Sequence, residues 1–285
     1  MSLPPCAALL LALLAAGASA QALDPQEIVR RSVERDRLNF RRANDYSYVQ
    51  HIEQRELDSQ GRVKKTESRT YDVIVLDGEP YEKRIARDGR PLGEAEARRE
   101  QEKLDRELAR RRSQDPEARA RRRTEAEKRR QQGREFALEI PDAFTFRLAG
   151  EERIEGRPVW IIEAEPKPGY RGRAKRADLL TKFRGRLWID QEDYQWVRVE
   201  AETIAPVRFG WILARLDPGA KMVFEQRRVQ GEVWLPSHAH MQLSARLALV
   251  KKLRGEVEVF WRDYRKFQVD SRITDVIENP AAPIP

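Results

Sequence analysis

The stretch GRLWID at residues 185–190, followed by WVRVE at residues 196–200, decides the fold of this chain. In both segments apolar residues alternate with charged ones, which is the period-two pattern of a half-buried β-strand. Residues 190–193, between them, are rich in aspartate and typical of a turn. The two segments therefore predict neighbouring antiparallel strands, with one apolar face and one face that mixes tryptophan with charges.

The same pattern extends in both directions along the chain. Turn signals at residues 155–156, 217–219 and 230–231 separate further β-rich runs after Phe136. Before the middle of the chain, a period of two begins at Tyr46, and the turn pairs Asp77-Gly78 and Asp88-Gly89 predict a β-meander. Residues 165–182, with two prolines, two glycines and six basic residues, predict a long loop.

Two helical regions interrupt the strands. Residues 24–42 predict an amphipathic helix with Asp24 as N-cap and Pro25 at its first position. Residues 94–134 hold 15 Lys/Arg and 10 Asp/Glu in 41 positions and contribute +5 of the chain's formal net charge of +8. Asp115-Pro116 divides this basic insert into two predicted helices, residues 94–113 and 116–134.

The first 20 residues predict a secretory signal peptide. They carry no charged side chain, and an 11-residue apolar run from Cys6 to Ala16 is followed by Ala18-Ser19-Ala20. A bilayer span needs about 20 apolar residues, so this run is too short to be one. Cys6 stands at the start of the run, unlike the acylated cysteine of a lipoprotein. We expect a periplasmic or secreted protein; a buried N-terminal helix is the alternative.

The composition provides few candidate catalytic side chains. Cys6 is the only cysteine and would leave with the signal peptide, which removes disulfides, thiol nucleophiles and cysteine-ligated metals. None of the common hydrolase, zinc-protease or nucleotide-binding motifs occurs. His238 and His240 on one strand face are two ligands without a dependable third, His51. Surface histidines or a pH-sensitive contact are the other interpretations; we expect no catalytic residue, metal or cofactor.

The six tryptophans all lie on predicted strands. On a concave, partly covered sheet, large aromatic side chains form an apolar cleft of the kind that binds acyl chains. Ordinary packing in the core is the alternative for each of them. The candidate lipid-binding residues are Trp160, Trp188, Trp196, Trp211, Trp234 and Trp261.

The basic insert has two interpretations. Its arginine triplets suit anionic headgroups, peptidoglycan or a protein partner, but ten acidic residues also permit a solvated, salt-bridged helical pair. Aromatic residues for base stacking are absent from the segment, so nucleic acid is not expected as a partner. The candidate contact residues are Arg110, Arg111, Arg112, Arg121, Arg122 and Arg123.

Three motifs carry a family resemblance: PKPGY at residues 166–170, GRLWID at 185–190 and DYQWVRVE at 193–200. Together they resemble the outer-membrane lipoprotein-sorting-protein-like families of the LolA/LolB-like superfamily. The resemblance is clearest from residue 154 to 267, and the basic insert departs from it. It implies an unclosed antiparallel barrel wrapped over helices, whose apolar interior holds lipid or lipoprotein acyl chains in the periplasm without any catalytic residue.

The predicted fold is therefore α+β, a curved half-barrel over helices with a charged helical insert. Residues 1–20 are the signal peptide and residues 21–285 one domain, with 94–134 as the insert. We expect a monomeric carrier of lipid or lipoprotein acyl chains for envelope transport. The alternative is a non-catalytic structural or regulatory module that docks an envelope protein or an anionic membrane surface through the insert.

Overall fold

The computed structural model describes residues 24–209, 214–247 and 251–266. The predicted signal peptide and Trp211 lie outside these ranges. The helices within them are α1 (Pro25–Ala43), α2 (Glu94–Ser113), α3 (Pro116–Leu138), α4 (Ile140–Ala143) and a 3₁₀ helix (Ala177–Lys182). The strands are β1 (Tyr46–Leu57), β2 (Val63–Leu76), β3 (Glu79–Arg87), β4 (Arg90–Pro91), β5 (Phe144–Ile154), β6 (Arg157–Pro166), β7 (Phe183–Asp190), β8 (Trp196–Thr203), β9 (Val207–Phe209), β10 (Ala214–Leu216), β11 (Lys221–Val229), β12 (Val233–Leu247) and β13 (Lys251–Lys266).

All the strands belong to one antiparallel sheet. Its order is β4-β3-β2-β1-β13-β12-β11-β8-β7-β6-β5, and the short pair β9–β10 continues beside β12. Within the described ranges β4 and β5 form the two ends and do not pair with each other, so the sheet stays open. The predicted α+β fold, an unclosed half-barrel over helices, is confirmed.

Tight turns join the predicted meander. Asp77-Gly78, between β2 and β3, and Asp88-Gly89, between β3 and β4, have positive φ at both positions. A hairpin turn of this kind demands left-handed backbone at both central residues, which aspartate tolerates and glycine adopts freely. The Asp-Gly pairs therefore fix the register of the strands on either side.

The strand GRLWID forms β7, between β6 and β8. Leu187 and Ile189 pack against Ile28 and Val29 of α1, whereas Trp188 points to the opposite face of the sheet. At Gly185 a Cβ atom would stand 2.4 Å from the backbone oxygen of the facing strand, so only glycine permits this pairing.

Helix α1 lies across the sheet and holds its two halves. Asp24 caps it by accepting a hydrogen bond from the Gln26 N–H at 2.9 Å, as the sequence predicts. Near its other end, Asn39 donates to the Trp234 backbone oxygen at 2.7 Å and accepts from the Trp234 N–H at 2.8 Å. The helix is thus bound by apolar packing on β6 and β7 and by a reciprocal amide pair on β12.

The predicted loop at residues 165–182 is partly wrong, because its last six residues form the 3₁₀ helix. The buried carboxylate of Glu139 holds the loop, accepting hydrogen bonds from the Tyr170 hydroxyl and from the N–H groups of Arg173 and Ala174. The Tyr170 hydrogen bond is the main cause of a lowered Glu139 pKa. Burial, followed by this contact, raises the pKa of Tyr170 to about 12.

The turn between β7 and β8 is built on Asp190. Its fully buried carboxylate accepts two hydrogen bonds from Arg157, at 2.6 and 2.8 Å, and one from the Asp193 N–H at 2.7 Å. These hydrogen bonds to Asp190 raise the pKa of Arg157. The acidic turn is therefore structural, the interpretation that the sequence favours.

We expect Asp190→Asn to lower the free energy of unfolding by about 2 to 3 kcal/mol, because the buried carboxylate loses its charge-assisted hydrogen bonds with Arg157 and with the Asp193 N–H. Urea titration followed by circular dichroism measures it. Glu192→Gln is the control, since that carboxylate contacts the same Arg157 at 2.9 Å from an exposed position; its loss should cost less than about 1 kcal/mol. Equal losses would contradict the assignment.

Candidate functional site

A surface groove of about 1010 Å³ separates α1 from α3. This volume is at the upper end of the range found for small-molecule pockets, about 300 to 1,000 Å³. Both walls are helical, so the groove lies outside the sheet. Its lining residues are Arg31, Val33, Glu34, Arg35, Asp36, Arg37, Leu38, Phe40, Arg129, Arg130, Gly133, Arg134, Ala137, Leu138 and Tyr194.

The groove exposes large apolar side chains on both walls. Leu38 and Phe40 of α1 are 46% and 42% exposed, and Leu138 at the end of α3 is 56% exposed. Scattered exposed apolar residues are normal, but a cluster within one concavity is typical of a binding surface.

A smaller inner cavity of about 330 Å³ lies between the second half of α1 and the sheet. Tyr48, Phe224, Leu235 and Tyr264 line it, and Phe40 borders both this cavity and the groove. The Tyr264 hydroxyl donates to the backbone oxygen of Pro236, and burial raises the Tyr264 pKa. Apart from Asp36, the side chains that line the inner cavity are apolar or neutral, and Phe40 lines both spaces.

A third space of about 460 Å³, here called the basic mouth, adjoins the groove. Arg37 and Arg41 of α1 and Arg130 and Arg134 of α3 line it, with Glu127 as its one acidic residue. Arg134 contacts Glu127 at 2.5 Å and Arg130 contacts it at 3.8 Å.

No carboxylate of the described residues lies within 4 Å of Arg37 or Arg41. Like charges at i and i+4 destabilise a helix by about 0.2 to 0.5 kcal/mol. Arg37 and Arg41 have this spacing on α1, and Arg130 and Arg134 have it on α3. The basic mouth therefore concentrates positive charge at a cost to stability.

Asp36 is a second polar group at the junction, bordering both the groove and the inner cavity. Burial raises its pKa, and its carboxylate has no hydrogen-bond or ion-pair partner in the described ranges. A carboxyl group whose charge is disfavoured, in a cleft, is more typical of a functional site than of a folding core.

The described tryptophans do not converge on one cleft. Trp160 is buried beneath α1, and the partly buried Trp196 packs on the same cluster. Trp188 and Trp234 pack in a different cluster with Val159 and Val197. Trp261 lies 6.4 Å from the ring of Phe224, which lines the inner cavity.

Trp188 illustrates why the sequence pattern was ambiguous. The guanidinium of Arg186 lies 5.8 Å from its ring and that of Arg198 lies 5.2 Å from it. These cation–π contacts cover the tryptophan with arginine stems on the face opposite α1. The charged residues near Trp188 in the sequence are thus the ones whose side chains cover it.

The basic insert is bound to the turn between β2 and β3. Arg122 contacts Asp77 at 2.8 Å and Glu79 at 3.5 Å, and Arg111 lies 3.8 Å from Asp77. Arg111 also donates to Glu107 at 2.6 Å. Hydrogen bonds from Arg110 and then Arg111 lower the Glu107 pKa to about 2.

The remaining candidate arginines face outward. Arg110 pairs with Glu107 at 2.7 Å, and Arg121 pairs with Glu117 at 3.5 Å. Arg112 and Arg123 are exposed, and no carboxylate of the described residues lies within 4 Å of either. The six candidates thus divide into two that hold the insert and four that are available at the surface.

The histidines are held by strand neighbours. His238 lies between Glu225 at 3.2 Å and Glu258 at 3.1 Å, stacked on the ring of Phe260 at 4.9 Å. His51 contacts the Thr70 hydroxyl at 2.9 Å. In the described ranges no group of three or more metal-ligating side chains is arranged for an ion, and no helix has the length and apolar character of a membrane span.

The sequence interpretation missed the residues of the groove and the basic mouth. Arg37/Arg41 and Arg130/Arg134 are visible as i, i+4 pairs, and Leu38 and Phe40 interrupt the polar side of α1. That α1 and α3 lie together is a tertiary fact, which these local patterns do not contain.

Fold and site together define an open antiparallel half-barrel that carries an apolar groove and a basic mouth between two helices. A DUF1329 family protein from Desulfovibrio piger has a similar structure, with 13% identity, a TM-score of 0.34, and coverage of 87% of this chain and 95% of that one. An outer membrane lipoprotein-sorting protein domain from Vibrio parahaemolyticus shows 12% identity, a TM-score of 0.29, and coverage of 86% and 95%.

A LolA superfamily protein from Nitrosomonas europaea shows 10% identity, a TM-score of 0.30, and coverage of 87% of this chain and 94% of that one. Lipoprotein-sorting and LolA superfamily proteins, which the sequence motifs resemble, are thus among the similar structures. No protein-family model and no curated protein sequence matches the chain.

We expect the double variant Arg111→Gln/Arg122→Gln to loosen the insert, because both guanidinium groups lose charge-assisted contacts with the turn between β2 and β3. Amide hydrogen exchange in α3 should accelerate about tenfold, the equivalent of about 1.4 kcal/mol. Arg112→Gln/Arg123→Gln removes the same charge from the outer surface and should leave exchange unchanged. Equal acceleration in both variants would contradict the docking contacts.

Proposed function

We propose that this protein is a periplasmic binding or carrier protein that holds acyl chains of a lipid or lipoprotein. The observation that carries the proposal is the exposed apolar groove that meets the inner cavity at Phe40. The predicted signal peptide at residues 1–20 supports the compartment. No catalytic residue takes part, because holding a chain requires only apolar surface removed from water.

The size of the hydrophobic term sets a minimum chain length. Each buried CH₂ group contributes about 0.8 kcal/mol, so a twelve-carbon chain supplies about 8 to 9 kcal/mol. Association costs about 4 to 15 kcal/mol in lost freedom. A chain must therefore bury between about 5 and about 19 CH₂ groups to offset this cost, a range that includes a twelve-carbon chain.

Trp261 lies 6.4 Å from the ring of Phe224, which lines the inner cavity, so its fluorescence reports on the contents of that cavity. We expect delipidated protein to show saturable quenching of tryptophan fluorescence by a monoacylglycerol with a dibrominated stearoyl chain. Phe40→Asp should weaken binding at least about tenfold, since it places a charge on the apolar path. The absence of saturable quenching in the unaltered protein would refute acyl binding.

Matched controls separate binding from folding. Ile204 is as exposed as Phe40, at 42%, and lies outside the groove, so Ile204→Asp should bind normally. A second pair, Leu138→Asp against Val63→Asp, compares two side chains that are each 56% exposed. If the groove variants bind as well as their partners do, the chain is not held between α1 and α3.

A second function is favoured by the outward arginines of the insert, namely docking of an anionic membrane surface. Each basic residue near an anionic surface contributes about 1 kcal/mol. We expect the variant Arg110→Gln/Arg112→Gln/Arg121→Gln/Arg123→Gln to lose co-sedimentation with phosphatidylglycerol vesicles but to keep acyl quenching. Phe40→Asp is the reciprocal control, and unchanged co-sedimentation of the fourfold variant would exclude docking through these side chains.

A further inference from the structure

The basic mouth suggests which acyl lipid the protein binds, an inference that rests on the proposed function. Four guanidinium groups from α1 and α3 line a space of about 460 Å³ that holds one carboxylate, Glu127. Their convergence comes from two separate helices, so it does not follow from the composition of either one.

The unsatisfied part of this charge lies on α1. Glu127 is shared by Arg130 and Arg134, at 3.8 and 2.5 Å, and the charge of Arg41 acts on it from farther away. In the described part of the chain no carboxylate lies within 4 Å of Arg37 or Arg41. Two like charges one turn apart, facing two more across a narrow space, are held together only at an electrostatic cost. Such a cost is removed when an anion enters.

The geometry of the apolar surface fixes where that anion would be attached. Phe40 lines the basic mouth, the groove and the inner cavity, so a chain lying along the groove brings its polar end to the arginines. Glu34 and Asp36 line the groove as well, but neither lines the basic mouth. Arg37, Arg130 and Arg134 line both spaces, so an acyl chain packed on the apolar side chains of the groove lies beside these arginines.

Guanidinium groups have the donor geometry that phosphate oxygens accept, two parallel N–H groups for two oxygens. The acylated cysteine of a lipoprotein joins its chains through uncharged thioether, ester and amide groups, which offer these arginines no anion. We infer that the protein binds a phosphate-bearing lipid, with the headgroup phosphate held by Arg37 and Arg41 and the acyl chain in the groove.

Three probes, two with a lauroyl chain and one without a chain, test this inference by calorimetry on the full mature chain. They are 1-lauroylglycerol 3-phosphate, 1-lauroylglycerol and glycerol 3-phosphate. We expect the phosphate lipid to bind at least about tenfold more tightly than the neutral lipid, and its affinity to fall as salt is raised. Glycerol 3-phosphate alone should bind far more weakly than the lipid that contains it.

The arginines are tested by Arg37→Gln/Arg41→Gln, which should reduce the preference for the phosphate lipid to about twofold or less by weakening the binding of that lipid more than the binding of 1-lauroylglycerol. Arg112→Gln/Arg123→Gln removes equal charge elsewhere and should keep the full preference. The preference of the unaltered protein is an independent readout that needs no variant.

The outcomes separate this inference from the proposed function. Equal binding of the two lauroyl lipids would overturn the phosphate assignment and leave acyl binding standing. Binding of neither lipid would overturn both. If glycerol 3-phosphate binds as tightly as the lipid, the site belongs to a free phosphate compound. If only Arg112→Gln/Arg123→Gln loses the preference, the headgroup binds the insert. Either result overturns the inference.

Discussion

The position of α1 across the open sheet is the constraint on which the other features depend. Because the sheet does not close, its helix-facing side needs a cover, and one helix serves both halves. Ile28 and Val29 pack on β6 and β7, and the reciprocal amide pair of Asn39 with Trp234 binds the other end to β12. A helix held at both ends but narrower than the sheet leaves space beside it, which is where the groove and the inner cavity lie.

The same constraint explains the role of the basic insert. Helix α3 forms the second wall of the groove, and it is placed there by Arg111 and Arg122 at the turn between β2 and β3. Few apolar side chains of the insert are buried, Leu104 and Ala126 among them. Charge-assisted contacts therefore attach the insert helices to the sheet, where an amphipathic helix would use its hydrophobic face. A groove wall attached by ion pairs is more sensitive to salt than one attached by apolar packing.

Local sequence signals predicted the fold well wherever a few consecutive residues determine the local structure. The Asp-Gly turns, the Asp24 and Asp115 caps and the period of two in β7 each determine structure over a few residues. The tryptophans were harder, because alternation with charges does not tell which face a helix covers. Trp160 lies beneath α1, whereas Trp188 is covered by arginines on the other face. The cleft predicted from all six therefore stays a prediction, with Trp234 and Trp261 nearest to a cavity.

The residues of the groove were beyond such signals for a physical reason. A side chain such as Phe40 is recognisable as a ligand contact only when it stays exposed beside other exposed apolar groups, and that depends on the distance between α1 and α3. The arginines of the basic mouth likewise become recognisable as a candidate anion site only when the fold places them opposite each other. Since like charges repel, packing these two helices together has an electrostatic cost, and that cost is the physical basis of the phosphate-lipid proposal.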